Sequence, residues 1–287
     1  MQNTVSKQRF DPLKKVVSNN SIVLVVIAMI IAGAIAEGSQ FLSFQNFMNI
    51  LRNHAVIGII ALGMSFVIIS GNIDLSVGAQ MVAVAAITVS FVNSTGNVVL
   101  GLIIGILAGC AMSTITGIIV TKGRVPSFIV TLGFMYIYRA LCMFYMQGGG
   151  FYLDKTKAPF YIQISNYMLF GKIPMPVVYY ALMFVLFWFI SKYTKIGRHI
   201  YAVGSNEKAT RLSGINTDRV KILAYTLLGL AISVAAIVES SRMGSINSTS
   251  SGNAYELNAI AMTVIGGISM EGGKGRISGA LWGMLIL

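Results

Sequence analysis

Charged residues are scarce in this chain of 287 residues. Only 10% of them are Asp, Glu, Lys or Arg, against about 25% in an average soluble domain. A water-soluble globule needs a polar surface, and this composition cannot cover one. Disorder is excluded as well, because disordered chains have low hydrophobicity, whereas 55% of this chain is hydrophobic.

Cysteine and histidine are equally rare, with two of each. Cys110 and Cys142 both lie in apolar runs, which excludes a disulfide framework. His54 and His199 are isolated from each other and from cysteine, so we predict no metal site. The chain also lacks a nucleophile elbow. We therefore assign no catalytic residue and do not predict an enzyme.

The glycines around Lys274 do not form a phosphate loop. Ile268 and Gly275 stand where that pattern requires a glycine and a hydroxyl residue. We therefore predict no nucleotide cofactor in this chain.

The net charge of +12 comes from 21 basic and 9 acidic residues. The basic residues lie in short segments between long runs, such as 75–121 and 173–191, that contain no charged residue. This distribution follows the positive-inside rule of membrane proteins and is unlike a groove for phosphates. The sequence therefore predicts a multi-pass membrane protein, in contact with lipid, without a nucleic-acid partner.

The apolar runs predict an all-α, polytopic transmembrane bundle with broken or re-entrant segments. We expect about eight to ten membrane segments within one transmembrane domain, residues 1–287. An amphipathic helix at 40–53 is expected on the outer interface. The predicted spans are at about 21–37, 55–70, 75–92, 98–120, 127–146, 176–191 and 222–240, followed by a shorter segment at 257–270 and a last apolar run to 287.

The charges also predict the orientation. Four cations (Lys7, Arg9, Lys14 and Lys15) precede the first span and place residues 1–20 in the cytoplasm as a tail. The alternative for this region is a cleaved signal peptide ending at Ala34-Ile35-Ala36. Because the rest of the chain is equally apolar, we favour a first helix that is retained. Because the chain stops at Leu287 within an apolar run, we expect the natural protein to continue with further membrane segments.

The fourth predicted span carries small residues at a spacing of four. They are Gly101, Gly105, Gly109, Ser113 and Gly117. Such a stripe lets another helix backbone approach closely in a membrane. We predict helix packing here, with a moving functional seam as the alternative.

A polar break separates the second and third predicted spans. It contains Ser70, Gly71, Asn72, Asp74 and Ser76. An ionised Asp at the centre of a membrane helix costs about 2.5–3.5 kcal/mol, so Asp74 needs a partner or water. Either Asp74 caps the third span by accepting from the amide of Ser76 or Val77, or it lines a substrate path.

The basic loop at 192–221 contains the signals of one short amphipathic helix. Ser205 or Asn206 can cap its start, and Glu207 lies in the first turn. Arg211 follows Glu207 by four residues, which suits an ion pair, and Gly214 ends the helix. The residues alone leave two interpretations open, a docking element or a solvated connector.

Three separated segments resemble one family, the permease subunits of bacterial ABC importers of the ribose and simple-sugar type (the branched-chain amino acid/ribose permease family). They are Phe66–Gly78, Gly197–Ile215, and Tyr255–Leu257 together with Ile265–Gly275. The resemblance runs from about Phe41 to the end of the chain. Asn72 departs from it, because a second glycine is common at that position.

The resemblance implies a permease subunit of the bacterial cytoplasmic (inner) membrane that carries ribose or a related monosaccharide and performs no bond chemistry. It implies three protein partners: a second permease copy, a cytoplasmic ATPase that binds ATP-Mg, and a periplasmic or lipid-anchored sugar-binding protein. It also identifies the short helix in the 192–221 loop as the coupling helix that docks on the ATPase. The residues assigned to this coupling role are Gly204, Asn206, Glu207, Ala209, Arg211 and Gly214.

An ion-coupled secondary transporter of a small polar solute is the alternative function. Such a protein is expected to carry acidic residues near the middle of the membrane. Only Asp74, Glu239 and Glu256 are candidates.

Overall fold

The computed structural model describes residues 21–287, so the predicted cytoplasmic tail at 1–20 lies outside the described residues. In chain order the helices are α1 (Ser21–Glu37), α2 (Phe44–Ile69), α3 (Val77–Thr95), α4 (Val98–Lys122), α5 (Ser127–Tyr145), α6 (Pro159–Asn166), α7 (Met175–Tyr193), α8 (Lys195–Ser205), α9 (Glu207–Leu212), α10 (Thr217–Met243), α11 (Tyr255–Ile265) and α12 (Ile277–Ile286). Within the described part of the chain, seven helices (α1–α5, α7 and α10) are long and apolar enough to cross a membrane. The predicted all-α, polytopic bundle is confirmed.

Four short strands lie between the helices and were not predicted. β1 (Gly150–Tyr152) pairs antiparallel with β4 (Ser245–Asn247), and β2 (Met168–Leu169) pairs with β3 (Ile173–Pro174). A strand of two or three residues is too short to show an alternating pattern of polar and apolar residues, so these strands could not be predicted from the sequence.

One predicted boundary is wrong. The amphipathic helix expected at 40–53 and the span expected at 55–70 form a single helix, α2. Ser43 caps its start by accepting from the amide of Asn46 at 3.2 Å. The polar residues near the expected boundary make side-chain contacts from within the helix: Arg52 donates to Asn166 at 3.1 Å, and Asn53 accepts from Arg242 at 3.3 Å. No glycine or proline interrupts residues 44–57, so the helix continues.

The 192–221 loop also differs from the prediction of one short helix. It contains α8 as well as α9, and α10 begins at Thr217, before the span expected from 222. Thr194 caps α8 by accepting from the amide of Gly197 at 3.2 Å. α8 buries Ile200 and Val203 while its charged residues stay at the surface, so it is itself amphipathic.

The bundle has inner and outer helices. α2, α3 and α10 bury most of their length, whereas α4, α5 and α7 bury about a fifth of theirs. The core contains Ile59, Phe66, Met81 and Tyr225, all fully buried.

The small residues of α4 lie on the face that meets α3 and α10. A side chain at Gly105 would overlap Thr88 of α3, and one at Gly109 would overlap Ser233 of α10. Gly101 and Gly117 likewise leave room for Val92 and Tyr225, and Ser113 is fully buried. These contacts are close packing of the kind that small residues permit in membranes.

The last two helices are short. α11 has 11 residues and α12 has 10, so each is about 16 Å long, half of a hydrocarbon core. The segment expected at 257–270 ends earlier, at Ile265, because Gly266 and Gly267 follow it. α11 and α12 meet backbone to backbone, with Gly266 against Gly279 and Gly283 against Met262. They provide the broken segments that the sequence predicts.

The two ends of the bundle differ in composition. We name them by the segments that they carry. The basic end carries residues 122–126, 194–216 and 266–276. The strand end carries residues 93–97, 146–174 and 244–254.

Candidate functional site

The break between α2 and α3 forms a tight polar turn at the basic end. Ser70 donates its hydroxyl to the carbonyl of Val67 at 2.7 Å, and the amide side chain of Asn72 donates to the Ser70 hydroxyl at 3.1 Å. Gly71 has a φ of +82°, a conformation that a side chain would strain. The Ile73 amide donates to the Ser127 hydroxyl at 3.2 Å, which fixes the turn against the start of α5.

Asp74 is fully buried beside the first turn of α3. Its Oδ1 accepts from the Ser76 amide at 2.7 Å and from the Ser76 hydroxyl at 2.6 Å. The predicted bond from the Ser76 amide is thus present, but the N-cap residue of α3 is Ser76, so Asp74 lies two positions before the cap. Asp74 Oδ2 has no hydrogen-bond partner among the described residues. One carboxylate oxygen thus bonds to the first residues of α3, whereas the other makes no hydrogen bond with residues 21–287.

Three distant segments meet backbone to backbone at the basic end. The Gly273 amide donates to the Ile69 carbonyl at 2.8 Å. A Cβ atom on Gly204 would overlap both of these groups, and one on Gly272 would lie 3.1 Å from Gly71. We call this contact of Ile69, Gly71, Gly204, Gly272 and Gly273 the glycine junction. It joins the ends of α2 and α8 to the loop before α12.

The helix α9 has the caps that the sequence predicts. Asn206 Oδ1 accepts from the Ala209 amide at 2.9 Å, and Gly214 takes a φ of +81° just after the helix. α9 covers only Glu207–Leu212, six residues. Ala209 is exposed on its surface.

Ion pairs fix α9 to the start of α10. Glu207 contacts Arg211 at 3.3 Å and Lys221 at 2.7 Å, and Arg211 also contacts Asp218 at 3.2 Å. Arg211 further donates to the Thr217 hydroxyl at 2.7 Å. Exposed salt bridges contribute about 0–1 kcal/mol each to folding stability. The main effect of this network is therefore to hold α9 in position against α10.

The ion pairs with Lys221 and Arg211 keep Glu207 ionised. Burial alone would raise the pKa of the Glu207 carboxyl, but the hydrogen bond and charge of Lys221, together with Thr217 and Arg211, lower this pKa below its ordinary value.

Leu212 is an exposed apolar residue that the sequence interpretation missed. It ends α9 with 90% of its surface exposed, and it is the only large apolar residue in the helix. That isolation within a charged helix is a signal that the sequence does carry. Because ion pairs hold α9 in place and Leu212 is exposed on it, this helix suits contact with a partner protein.

The break and α9 line one cavity of about 520 Å³ at the basic end. Gly71 and Asn72 contribute one side of it, and Glu207 and Arg211 contribute another. The link between α4 and α5 adds Arg124 and its neighbours. Two residue sets that the sequence assigned to separate roles are therefore adjacent, although Asp74 and Ser76 are not among the lining residues.

Nothing in this arrangement suggests bond chemistry or a bound metal. Among residues 21–287 no group of His, Cys, Asp and Glu is arranged to hold a metal ion. The cavity is lined by charged side chains, such as Arg124 and Asp218, and by apolar ones, such as Val120 and Phe128.

The other two acidic candidates for ion coupling have different surroundings from Asp74. Glu239 is buried, but it contacts Arg242 at 3.0 Å and accepts from the Tyr255 hydroxyl at 3.2 Å. Glu256 lies in the first turn of α11, a favourable place for an acid, with its carboxylate beside Gly78. Of the three, only Asp74 is both buried and without a cation in salt-bridge contact among the described residues.

Comparisons with known proteins place these features in a family. Residues 46–287 match the family model described as the permease component of the branched-chain amino acid transport system. The ribose import permease protein RbsC of Escherichia coli (strain K12) is 44% identical over 187 residues, which are 62% of this chain and 56% of that protein. No solved structure matches the chain.

Two further relatives come from other bacteria. RbsC of Bacillus subtilis (strain 168) is 40% identical over 66% of this chain and 58% of its own length. The xylose transport system permease protein XylH of Haemophilus influenzae (strain ATCC 51907 / DSM 11121 / KW20 / Rd) is 33% identical over 65% of this chain and 54% of its own length. The chain thus matches a little over half the length of these relatives.

Proposed function

Because the chain belongs to the family of branched-chain amino acid transport system permease components, we propose that it is the permease subunit of an ATP-driven ABC importer for ribose or a related monosaccharide. Relatives named as ribose and xylose permeases support the sugar class. The observation that carries the mechanism is the glycine junction, which joins the α9 region to the break at 70–76 and to the loop before α12.

In this proposal α9 is the coupling helix. A cytoplasmic ATPase that binds ATP-Mg contacts Leu212 and the exposed Ala209. The ion pairs of Glu207 and Arg211 hold α9 to α10, so a push on α9 moves α10 with it. This chain only transmits the movement, and the hydrolysis of ATP takes place in the partner.

The glycine junction then carries the movement to the membrane segments. Gly204, in the last turn of α8, touches the Ile69 carbonyl at the end of α2, and Gly273 connects the same point to the loop before α12. Because backbone groups are in contact, no side chain can rotate to absorb the displacement. α2 lies at the centre of the bundle, so its end is well placed to alter a path through the protein.

The charge distribution supports the orientation. The basic end carries the cationic loops, so we place it in the cytoplasm together with the N-terminus. The strand end then faces a periplasmic or lipid-anchored sugar-binding protein, and a second permease copy completes the path.

An ion-coupled secondary transporter remains the competing proposal, because Asp74 is buried with one oxygen unpartnered. Purified full-length permease, reconstituted in liposomes with its binding protein and ATPase, separates the two. We expect ribose uptake to require ATP and to stop when the phosphate-binding lysine of the ATPase is replaced. Uptake by the permease alone, driven by an imposed proton or sodium gradient, would establish the competing proposal. Replacing ribose with xylose or arabinose in the same assay identifies the preferred sugar.

A further inference from the structure

A second cavity lies at the basic end, and all the charged residues that line it are basic. It has a volume of about 560 Å³ and opens beside the last turns of α7. Its charged lining residues are Lys192 and Arg276, and no acidic residue lines it. Neither cation forms a salt bridge within the described part of the chain. The cavity therefore has a positive potential, and no carboxylate among residues 21–287 forms a salt bridge with its two cations.

The cavity walls are held together by specific contacts. The Tyr201 hydroxyl donates to the Gly275 carbonyl at 3.0 Å and lies 3.3 Å from the Ser191 hydroxyl. These bonds join the end of α7, the middle of α8 and the loop before α12. Ile277 and Ser278, in the first turn of α12, complete the wall.

Aromatic rings hold one of the cations in place. Lys192 Nζ lies 5.2 Å from the centre of the Trp188 ring and 5.4 Å from that of Tyr193. Such cation–π contacts keep the ammonium group near the rings without cancelling its charge. Trp and Tyr are enriched where a membrane helix meets the headgroup region. The cavity thus lies at the level of the lipid headgroups.

The surface of α7 next to the cavity is apolar and exposed. Val185, Leu186 and Phe189 expose 40% or more of their surface. In a helix that crosses a membrane, such a face contacts acyl chains. The apolar face and the positive cavity are continuous along α7, which matches the two parts of a phospholipid.

We propose that this cavity binds the headgroup phosphate of an anionic phospholipid, with Lys192 and Arg276 contacting the phosphate oxygens. The acyl chains lie along the exposed face of α7. Basic cavities beside membrane helices attract anionic headgroups by this chemistry. The inference concerns the contact of the chain with the bilayer, and it holds whichever sugar the protein carries.

The test uses full-length permease in detergent, titrated with phosphatidylglycerol or phosphatidylcholine and observed by native mass spectrometry. We expect one phosphatidylglycerol to be retained with at least a tenfold preference over phosphatidylcholine. Lys192→Gln combined with Arg276→Gln should remove this preference. The matched control combines Lys195→Gln with Arg198→Gln, which removes the same charge from exposed positions of α8 that do not line the cavity. The control should bind as the wild type does.

Several outcomes would overturn the proposal. Equal preference in the cavity variant and the control would mean that the two cations do not form the site. Equal binding of the two lipids would mean non-selective contact. Complete displacement by inorganic phosphate would indicate a free-anion site, and loss of permease dimers in the cavity variant without lipid would indicate that a second copy covers the cavity. Lys192→Arg keeps the charge, so it should bind normally and exclude a folding defect.

Discussion

The glycine junction at the basic end and the end of α3 at the strand end are held by different kinds of contact. At the basic end, backbone atoms of three segments touch at the glycine junction, through Gly204, Gly273 and Ile69. At the strand end, β1 and β4 pair backbone to backbone, but a side chain joins the end of α3 to the loop after β1. Asn93 donates to the Tyr152 carbonyl at 2.8 Å and accepts from the Asp154 amide at 2.9 Å.

The kind of contact determines how each of these two regions can move. A side-chain hydrogen bond can break alone, at a net cost of about 0.5–1.5 kcal/mol, while its neighbours stay in place. A contact between backbones cannot adjust unless whole segments shift. The contact at the end of α3 can therefore adapt to a bound protein by breaking single bonds, whereas the glycine junction must respond as one unit.

Gly204→Val is expected to have the largest effect. Its side chain would overlap the Ile69 carbonyl and the Gly273 amide. Overpacking costs typically about 1–3 kcal/mol where side chains can yield, and backbone yields less. We expect at least a tenfold loss of folded protein or of uptake, measured by membrane abundance and sugar accumulation. Gly133→Ala on α5 is the control, since nothing lies within 4 Å of its added carbon. Normal uptake by Gly204→Val would show that the junction is not rigid.

Leu212→Ala tests whether the basic end contacts the ATPase. Leu212 is 90% exposed, so its truncation should change stability by less than about 0.5 kcal/mol. An anchor residue at an interface is worth about 2 kcal/mol or more, which weakens binding about thirtyfold. We expect co-purification of the ATPase and uptake to fall together, with unchanged permease abundance. Met243→Ala, at an exposed position near the strand end, should retain both. Equal effects of the two variants would remove the distinction between the ends.

Asp74→Ala and Asp74→Asn separate the two roles of the buried carboxylate. Asparagine keeps an oxygen that can accept from Ser76, whereas alanine leaves the Ser76 amide without that partner. Loss of a hydrogen bond to a charged group costs about 1.5–3 kcal/mol. We expect uptake to fall several-fold in the alanine variant and to be partly kept in the asparagine variant. Equal loss in both would assign the function to the negative charge, and near-normal uptake by the alanine variant would exclude both roles.

Asn93→Ala should have the smallest effect. It removes two side-chain hydrogen bonds at the strand end, worth about 1 kcal/mol each. ATPase co-purification should be unchanged, and uptake should fall by less than about threefold. A decrease as large as that of Gly204→Val would show that the strand end is as rigid as the basic end.

The sequence predicts most of the helices, because long uncharged runs leave few alternatives in a membrane. The ends of the helices are less predictable. Arg52 and Asn53 lie at the boundary expected between an amphipathic helix and a span, but within α2 they bond to Asn166 and Arg242, which are distant in the chain. Likewise, α8 was missed because its polar and apolar residues alternate with a helical period within a loop that its charges dominate.

The caps and the ion pair of α9 depend on neighbours in sequence, so they could be predicted from local spacing. The glycine junction could not. Gly71, Gly204 and Gly272 each look like an ordinary turn, and only the packing of α2 against α8 and α12 brings them together. The burial of Asp74 also depends on residues distant in the chain, such as Tyr225, whose hydroxyl donates to the neighbouring Ile73 carbonyl at 3.4 Å, although its bond to Ser76 is local.

The most direct measurement of the central claim uses Ala209→Cys in the full-length permease within intact cells. Ala209 is exposed on α9 beside Leu212, so a thiol there should form a crosslink to the ATPase. We predict that this crosslink forms, that substrate-stimulated ATP hydrolysis falls once it has formed, and that a membrane-impermeant thiol reagent labels the position only after the cells are opened. Labelling of intact cells from outside, with no crosslink to the ATPase, would contradict both the orientation and the coupling role of α9.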